Sequence, residues 1–578
     1  LNLVDPEAVQ QLEVVRGPAS VLYGSDALGG VVHVRTESAL TGAARDGTTV
    51  NAGAALRGAT GEQALRTQGK LRVAWRDTLG MRVSGGAGYA GEVRRGEGLG
   101  PQPFTGHQDW TLSSRVEARP SRDHHVTLAY HSGHIFDMPR SDVSTSEDIQ
   151  ITKDLDRDSA VLNYTGRVGR RVRLHGFLGL SRRREVRTRE RPMRFNEERE
   201  RVRNLQAGLG ASGSLWYGGS LEFGYDCSID RVASSAYSGA GDMRMKQDRG
   251  RYVDGSKYDL HALYLLYTQQ LTERWALLFG TRGTLVLARA PADPLFAEML
   301  GDDAVLDRTF IRPVASLGVR AQLTPEFALL GNVLGGFRAP NLEDFQAFGG
   351  AARGFTLPNM NLDPERSWTF ELGAEFVNRA WDLRAFAFTS LLSGLIVRVP
   401  SSYQGMTEIE GEPVIERQNA SKSLLAGGEL SLTRLFEIGL FGQLGTTLTW
   451  GKTERPLETG GDVTEPASKV PPPQFLARVG YDRPDVAYFA NLTLLAQSKQ
   501  TRLSEGDKAD VRLCPDGPDG CDEVPGFYDL SLRGGVRLRP DMLLSVAVEN
   551  LFDRAYRTYA SGAYAPGRNF IASLRVML

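Results

Sequence analysis

Between Asn341 and Leu357 the chain places Phe345, Phe348 and Phe355 close to Arg353. Aromatic rings stack on flat π-systems and a guanidinium attracts anions. The grouping therefore suits a catecholate or another anionic chelate, although a packed loop would use the same residues. His124, His125, His131 and His134 form the histidine cluster of the sequence. Strand side chains alternate between faces, so residues three apart fall on opposite sides. Metal binding there would need donors from other loops, and no acidic or cysteine partner is fixed by spacing. Cys514 and Cys521 enclose the polar, turn-rich segment 515–520. A short disulfide in an oxidising compartment and a metal pair are the two readings, and no third or fourth ligand lies nearby. Cys227 has no local partner and is expected to be a buried free thiol. No metal site and no cofactor is assigned.

The sequence holds no G-x-S-x-G, H-E-x-x-H or phosphate-loop pattern and no carboxylate pair fixed by spacing, so an enzyme is not expected. Residues 86–91 formally match a dinucleotide fingerprint. Such a fingerprint must open a helix, and the following 92–96 has no helical apolar period, so it reads as a glycine-rich strand. The segment 182–203 is dense in arginine, but Glu185, Glu190, Glu197, Glu198 and Glu200 interleave with it. With no aromatic series beside it, it reads as a solvated hairpin of mixed charge rather than a nucleic-acid surface. Anionic lipopolysaccharide is a further candidate partner.

These residues need a scaffold, and the pattern of the whole chain supplies one. Across 578 residues, 41% are apolar and the net charge is −1, which fits neither an acidic disordered chain nor a basic nucleic-acid binder. Many of the 65 glycines sit inside alternating runs, where strands bend around a barrel. No stretch approaches the roughly 18 apolar residues of a membrane helix. A membrane barrel alternates lipid-facing and lumen-facing residues instead, which keeps mean hydropathy low. Val50, Ala52, Ala54 and Leu56 show that alternation, and residues 71–76 and 81–84 flank a hairpin turn. Long polar insertions at 91–108, 137–156, 235–254, 291–307, 341–366, 400–418, 454–473 and 503–524 alternate with short turns. At roughly 25 residues per strand and connection, the chain predicts an all-β, transmembrane antiparallel barrel of about 22 strands. In the last strand, Phe570, Ala572, Leu574, Val576 and Leu578 share one face. Arg575 lies on the other and should point into the lumen, since facing lipid would cost about 2–4 kcal/mol. A strand ending with the chain has an open edge unless it pairs with the first strand, which predicts closure.

The segment Glu549-Asn550-Leu551-Phe552-Asp553-Arg554-Ala555-Tyr556, with 566–578 after it, closely resembles the end of TonB-dependent outer-membrane receptors. Residues 12–32 resemble the end of that family's plug domain. Phe337-Arg338-Ala339-Pro340 and the imperfect 358–365 resemble its FRAP and NPxL boxes. The resemblance implies the C-terminal part of a plug at 1–40, held in the lumen of a barrel at 41–578, with Glu13, Arg16, Gly17 and Pro18 in the plug motif. Charged plug residues are expected to pair with the wall. It implies the outer membrane of a Gram-negative bacterium and energised uptake of a scarce, large solute. A ferric siderophore ranks first, then cobalamin, then haem, because haem receptors carry a histidine between the boxes and 341–357 has none. The implied partners are a metal-chelate ligand, lipopolysaccharide and a TonB-type energy-coupling complex, with no nucleic acid. The chain opens inside a recognisable domain, so a preceding N-terminal portion is expected. An uncoupled pore or surface-binding barrel is the alternative.

Overall fold

The computed structural model describes residues 5–141, 150–240, 243–297, 304–351, 354–409, 411–456, 461–515, 517 and 520–578. Among them, 22 strands close into one antiparallel barrel. The first barrel strand, Thr48–Ala59, pairs with the last, Asn569–Met577, with Gly53 opposite Met577 and Ala59 opposite Ile571. Ala52 and Leu578 exchange both backbone hydrogen bonds, at 2.9 and 2.7 Å, so the terminal strand has no open edge on that side. The period-two pattern sorts the faces: Val50, Leu56 and Phe570 stand outward and exposed. Arg575 turns inward, as expected, and donates to Glu7 Oε1 at 2.7 Å. No helix of the described residues is long and apolar enough to cross a membrane.

Connections such as 76–78, 122–123 and 169–171 are short at one end of the barrel, while the long insertions gather at the other. This asymmetry identifies the long-loop end as the outer one. Several insertions are shorter than the sequence predicts because the ladders climb into them. The strands Val172–Arg191 and Arg194–Ser214 meet across a two-residue tip, and Glu412–Leu435 runs 24 residues. Beyond the membrane a strand still pairs its backbone but needs no apolar face, so the hydrophobic period stops before the strand does. The NLFDxxY segment also lies at the outer end, as part of a packed loop. Asn550, in the left-handed region, donates its amide to Arg554 O and Pro566 O and accepts from Arg554 N, which ties 550–568 into a knot.

Inside the ring, Val9–Arg16 pairs with Gly30–Thr36. Their connection contains a helical turn, Ser20–Tyr23; Gly17, with φ of +73°, starts it. This N-terminal unit touches the wall around its circumference. Arg82 donates to Glu7 O, Arg115 to Thr36 and Ser38 to Glu117. On another part of the ring, Val21 packs into the buried cluster of Val286, Leu306, Phe310 and Phe337. Cys514 and Cys521 form a disulfide with Cα atoms 5.7 Å apart, beside buried Leu503, Leu513 and Val524. Cys227 is free but only half-buried, because a barrel wall leaves one face of each strand uncovered.

Candidate outer ligand-binding mouth

The FRAP-like and NPxL-like boxes hold each other. Arg338 ends the strand Phe327–Arg338 and forks onto Glu365, the first residue of Glu365–Val377, at 2.9 and 3.1 Å. It also donates to Asp344 at 2.6 Å, and Glu365 accepts from Ile396 N at 2.8 Å. The 339–364 loop is therefore pinned at both ends. Ala339 N donates to Ser25 Oγ at 3.1 Å, which ties the same corner to the plug.

Within that loop, Asn341 and Asp344 make a capping box that starts the helix Leu342–Gln346. The helix gathers its neighbours. Arg251 and the Tyr252 hydroxyl donate to Glu343 at 2.9 and 3.1 Å, and Arg417 approaches it at 3.6 Å. Gln346 accepts from Val253 N at 3.2 Å through its side chain and from Arg249 through its backbone carbonyl. Burial pushes the Glu343 carboxyl up, but Arg251, then Arg417 and the Tyr252 hydroxyl, outweigh it and hold it below its ordinary range. Burial pushes the Tyr252 hydroxyl above its usual value, with Arg251 opposing and Glu343 adding.

Four aromatic rings meet beside this helix. Phe348 lies edge-on to both Phe296 and Phe355, each at 5.1 Å, and Tyr403 completes the group at 6.1 to 6.4 Å. Phe355 is placed by a short strand, Gly354–Leu357, that adds parallel to Val414–Glu416. The Arg249 guanidinium sits over the Phe348 ring at 5.4 Å and pairs with Asp293 at 2.8 Å, both side chains nearly inaccessible. Burial lowers the Arg249 pKa and raises that of Asp293, each opposed by the other's charge. Of the predicted residues, Phe348 and Phe355 come together here. Phe345 does not: it is fully buried in the interior cluster below and lines neither cavity, because the capped helix turns it inward with Leu342. Arg353 lies outside the described residues. Phe296 and Tyr403 were missed, since they come from other loops and nothing local marks them.

Two adjoining cavities open at this mouth. The smaller, about 390 Å³, is lined by Phe348, Phe355, Arg249 and Arg194; the larger, about 970 Å³, shares Arg187 and Arg189 with it. The larger wall carries nine basic side chains, including Arg251, Arg398, Arg417 and Arg455, against four carboxylates, Glu343, Asp344, Glu465 and Glu505. Most of these groups have partners, some of them outside the lining: Arg187 with Glu198, Arg455 with Glu465 at 2.8 Å, Arg251 and Arg417 with Glu343, and Lys469 and Arg512 with Asp510. Within the lining itself guanidinium groups outnumber carboxylates, and such forks suit anionic oxygens.

The histidine cluster divides between faces. His134 engages Asp156 and His124 meets Tyr164, and no group of three metal donors occurs among the described residues. In the plug, Arg16 pairs with Glu429 of the wall, as expected. Glu13 instead accepts from His33 and Arg35 of its own hairpin, at 3.2 and 3.3 Å.

A closed barrel with a plug hairpin inside and a basic mouth above is the architecture of a plugged outer-membrane receptor. A family model described as TonB-dependent receptor-like, beta-barrel matches residues 41–551, and one described as TonB-dependent receptor plug domain matches 1–31. The chain belongs to the TonB-dependent receptor family, whose members are outer-membrane transporters of Gram-negative bacteria and not enzymes. It is similar to the vitamin B12 transporter BtuB of Vibrio vulnificus, 56% identical over 36 residues, a match that takes in 6% of each chain. It is 23% identical to the ferric enterobactin receptor PirA of Pseudomonas aeruginosa over 99% of this chain and 80% of that one. Among solved structures, the copper transporter OprC superposes with a TM-score of 0.81 at 16% identity, over 100% of this chain and 87% of that one.

Proposed function

We propose that this receptor binds a ferric siderophore, an anionic iron chelate, at the outer mouth and takes it up when a TonB-type energy-coupling complex acts through the plug. One observation carries the reading: the larger cavity sets nine basic side chains against four carboxylates. An anionic chelate gains from that excess, whereas a solute with little net charge does not. Guanidinium forks suit the oxygen-rich edge of such a chelate, and the exposed faces of Phe348 and Phe355 suit flat catechol rings. Cobalamin ranks second and haem third. The pairing of Arg16 with Glu429 joins plug to wall through solvent-accessible groups, which can separate at small cost.

Uptake of radio-iron tests this. Cells carrying the receptor should accumulate iron from a ferric catecholate siderophore, and should stop when the coupling complex is deleted. Uptake of labelled cobalamin with no iron uptake would overturn the cargo. Iron entry that ignores the coupling complex would support an uncoupled barrel instead.

A further inference from the structure

We infer that one sector of the lumen wall is a track for anions, and that it ends, where the turns are short, in a second anion site built on Arg167 and Arg173. The role of the track rests on the anionic cargo proposed above; the anion site itself does not.

The register defines the sector. Ser84 donates to Asp5 of the plug, so it faces the lumen. The row it belongs to runs from strand to strand through Ser113, His131, Ser159 and Ser181 to Asn204. Counting by twos from that row gives the lumen-facing residues of Gln150–Val168, Val172–Arg191 and Arg194–Ser214. From Arg157 to Arg167, from Arg183 to Arg173 and from Val202 to Ser212 there are six such positions on each strand, and none is a carboxylate. The same face of the next strand, Gly219–Gly239, carries Glu222, Asp226 and Asp230, which bounds the sector on that side.

Two arginine pairs close the neutral stretch. Arg157 is directly opposite Arg183, and Arg167 directly opposite Arg173. The pairs are ten positions apart on one strand. At a rise of about 3.3 Å per residue and a tilt of about 40°, roughly 25 Å separates them along the barrel, the height of its apolar band. Above the upper pair, the same face continues to Arg187 and Arg189, which line both outer cavities. The plug's hydrogen bonds and ion pairs with the wall, among the described residues, fall outside these three strands.

The lower pair borders a cavity of about 270 Å³ whose wall holds Arg119, Arg122, Arg167 and Arg173 against one carboxylate, Asp123. Asp123 lies 3.5 Å from Arg167, and both are exposed. Arg119, Arg122 and Arg173 have no carboxylate partner among the described residues. Other short turns balance their charges, as do Arg76 with Asp77, Glu273 with Arg274, and Arg483 with Asp485. His125 also lines the cavity and lies 3.7 Å from Glu117, which accepts from Ser38 of the plug, so the site adjoins the plug's grip on the wall.

Like charges set directly opposite each other on a sheet repel. An anion between Arg167 and Arg173 would relieve that repulsion and accept forked hydrogen bonds from both. A solute that must enter and also leave is served by successive weak stations rather than one deep site. The outer cavities, the Arg157–Arg183 pair and the Arg167–Arg173 pair supply such stations for an anion, with no carboxylate between the pairs to oppose it.

The test compares R167Q/R173Q with R187Q/R455Q, which alters the outer mouth instead. Titration calorimetry of the purified receptor with inorganic pyrophosphate reads the anion site whatever the cargo is. R167Q/R173Q should weaken pyrophosphate binding about tenfold at a site that R187Q/R455Q keeps. In cells, maximal uptake of a ferric catecholate should fall about tenfold in R167Q/R173Q, with the half-saturating concentration held within about twofold, and R167K/R173K should recover much of the rate. Heat-dependent gel mobility establishes that the variant is folded; if it is not, R173Q replaces it and should shift both readouts the same way. Unchanged pyrophosphate binding in the folded variant overturns the anion site. A lost site with unchanged maximal uptake overturns the track. A wild type that binds pyrophosphate at this site but takes up no ferric chelate supports the site, and overturns the cargo reading and the track with it.

Discussion

The plug and the outer mouth are both tied to the barrel wall by arginine–carboxylate pairs, but the two sets differ in their access to water. Arg16 is 62% and Glu429 20% exposed in their pair, whereas Arg575, 53% exposed, meets a Glu7 that is only 9% exposed. At the mouth, Arg338 is 22% exposed and its partners Glu365 and Asp344 only 8% and 11%. Arg249 and Asp293 fall to 2% and 0%. Wet single pairs contribute about 0–1 kcal/mol each, whereas removing one partner of a buried pair costs about 3–5 kcal/mol. The contrast supports a division of labour in which the Arg16–Glu429 contact can be exchanged while the mouth keeps its shape, with buried Arg82 and Glu117 holding the other side of the plug.

Substitutions can break that contrast. Arg338→Ala should have the largest effect, about 3–5 kcal/mol, because it leaves buried Glu365 without its cation and Asp344 with only Arg417, 3.9 Å away. Chemical unfolding and proteolysis within 339–364 should show it; a loss no greater than that of an Arg16 variant would remove the distinction. Asp293→Asn comes next, since Arg249 would stay buried beside Phe348 without its counter-charge. Arg249→Met with Asp293→Leu should recover most of the stability, because well-packed apolar replacements of a buried pair are often neutral. A double variant as damaged as the single would show that the charges themselves are needed.

Glu343 sharpens the comparison through pH. Its folded pKa lies below the ordinary value, so its contribution is present above that value and is lost as pH falls through the folded one. Protection against hydrogen exchange in 249–256, taken relative to the intrinsic rate at each pH, should fall as pH drops below the ordinary carboxylate range, and Glu343→Gln should flatten that dependence. The smallest effect is expected for Arg16→Gln, at most about 1 kcal/mol in unfolding, because Arg16 is mostly exposed to water.

The wall was legible in the sequence because one-sided burial leaves a period of two. Arg575 was placed in the lumen from alternation, strand number followed from length, and closure from the open edge a terminal strand would leave. The mouth was not legible in the same way. Phe348 and Phe355 were found, but Phe296 and Tyr403 join them only through tertiary packing of separate loops. Phe345 shows a signal that was present and went unused: Asn341 and Asp344 announce a capped helix, and residues 342 and 345 then share its inward face. The arginines of 182–203 carry the same lesson. Composition mixes their charge with the glutamates, while counting by twos separates Arg182 and Arg184 from Glu185.

The most direct test of the central claim is an equilibrium titration of the purified receptor with a ferric catecholate siderophore, followed by quenching of tryptophan fluorescence. The wild type should bind saturably and in preference to cobalamin. Arg187→Gln with Arg455→Gln, which removes two charges from the larger cavity, should weaken binding at least tenfold, about 1.4 kcal/mol. Preference for cobalamin, or an affinity unchanged by losing both charges, would contradict the assignment of this mouth to an anionic iron chelate.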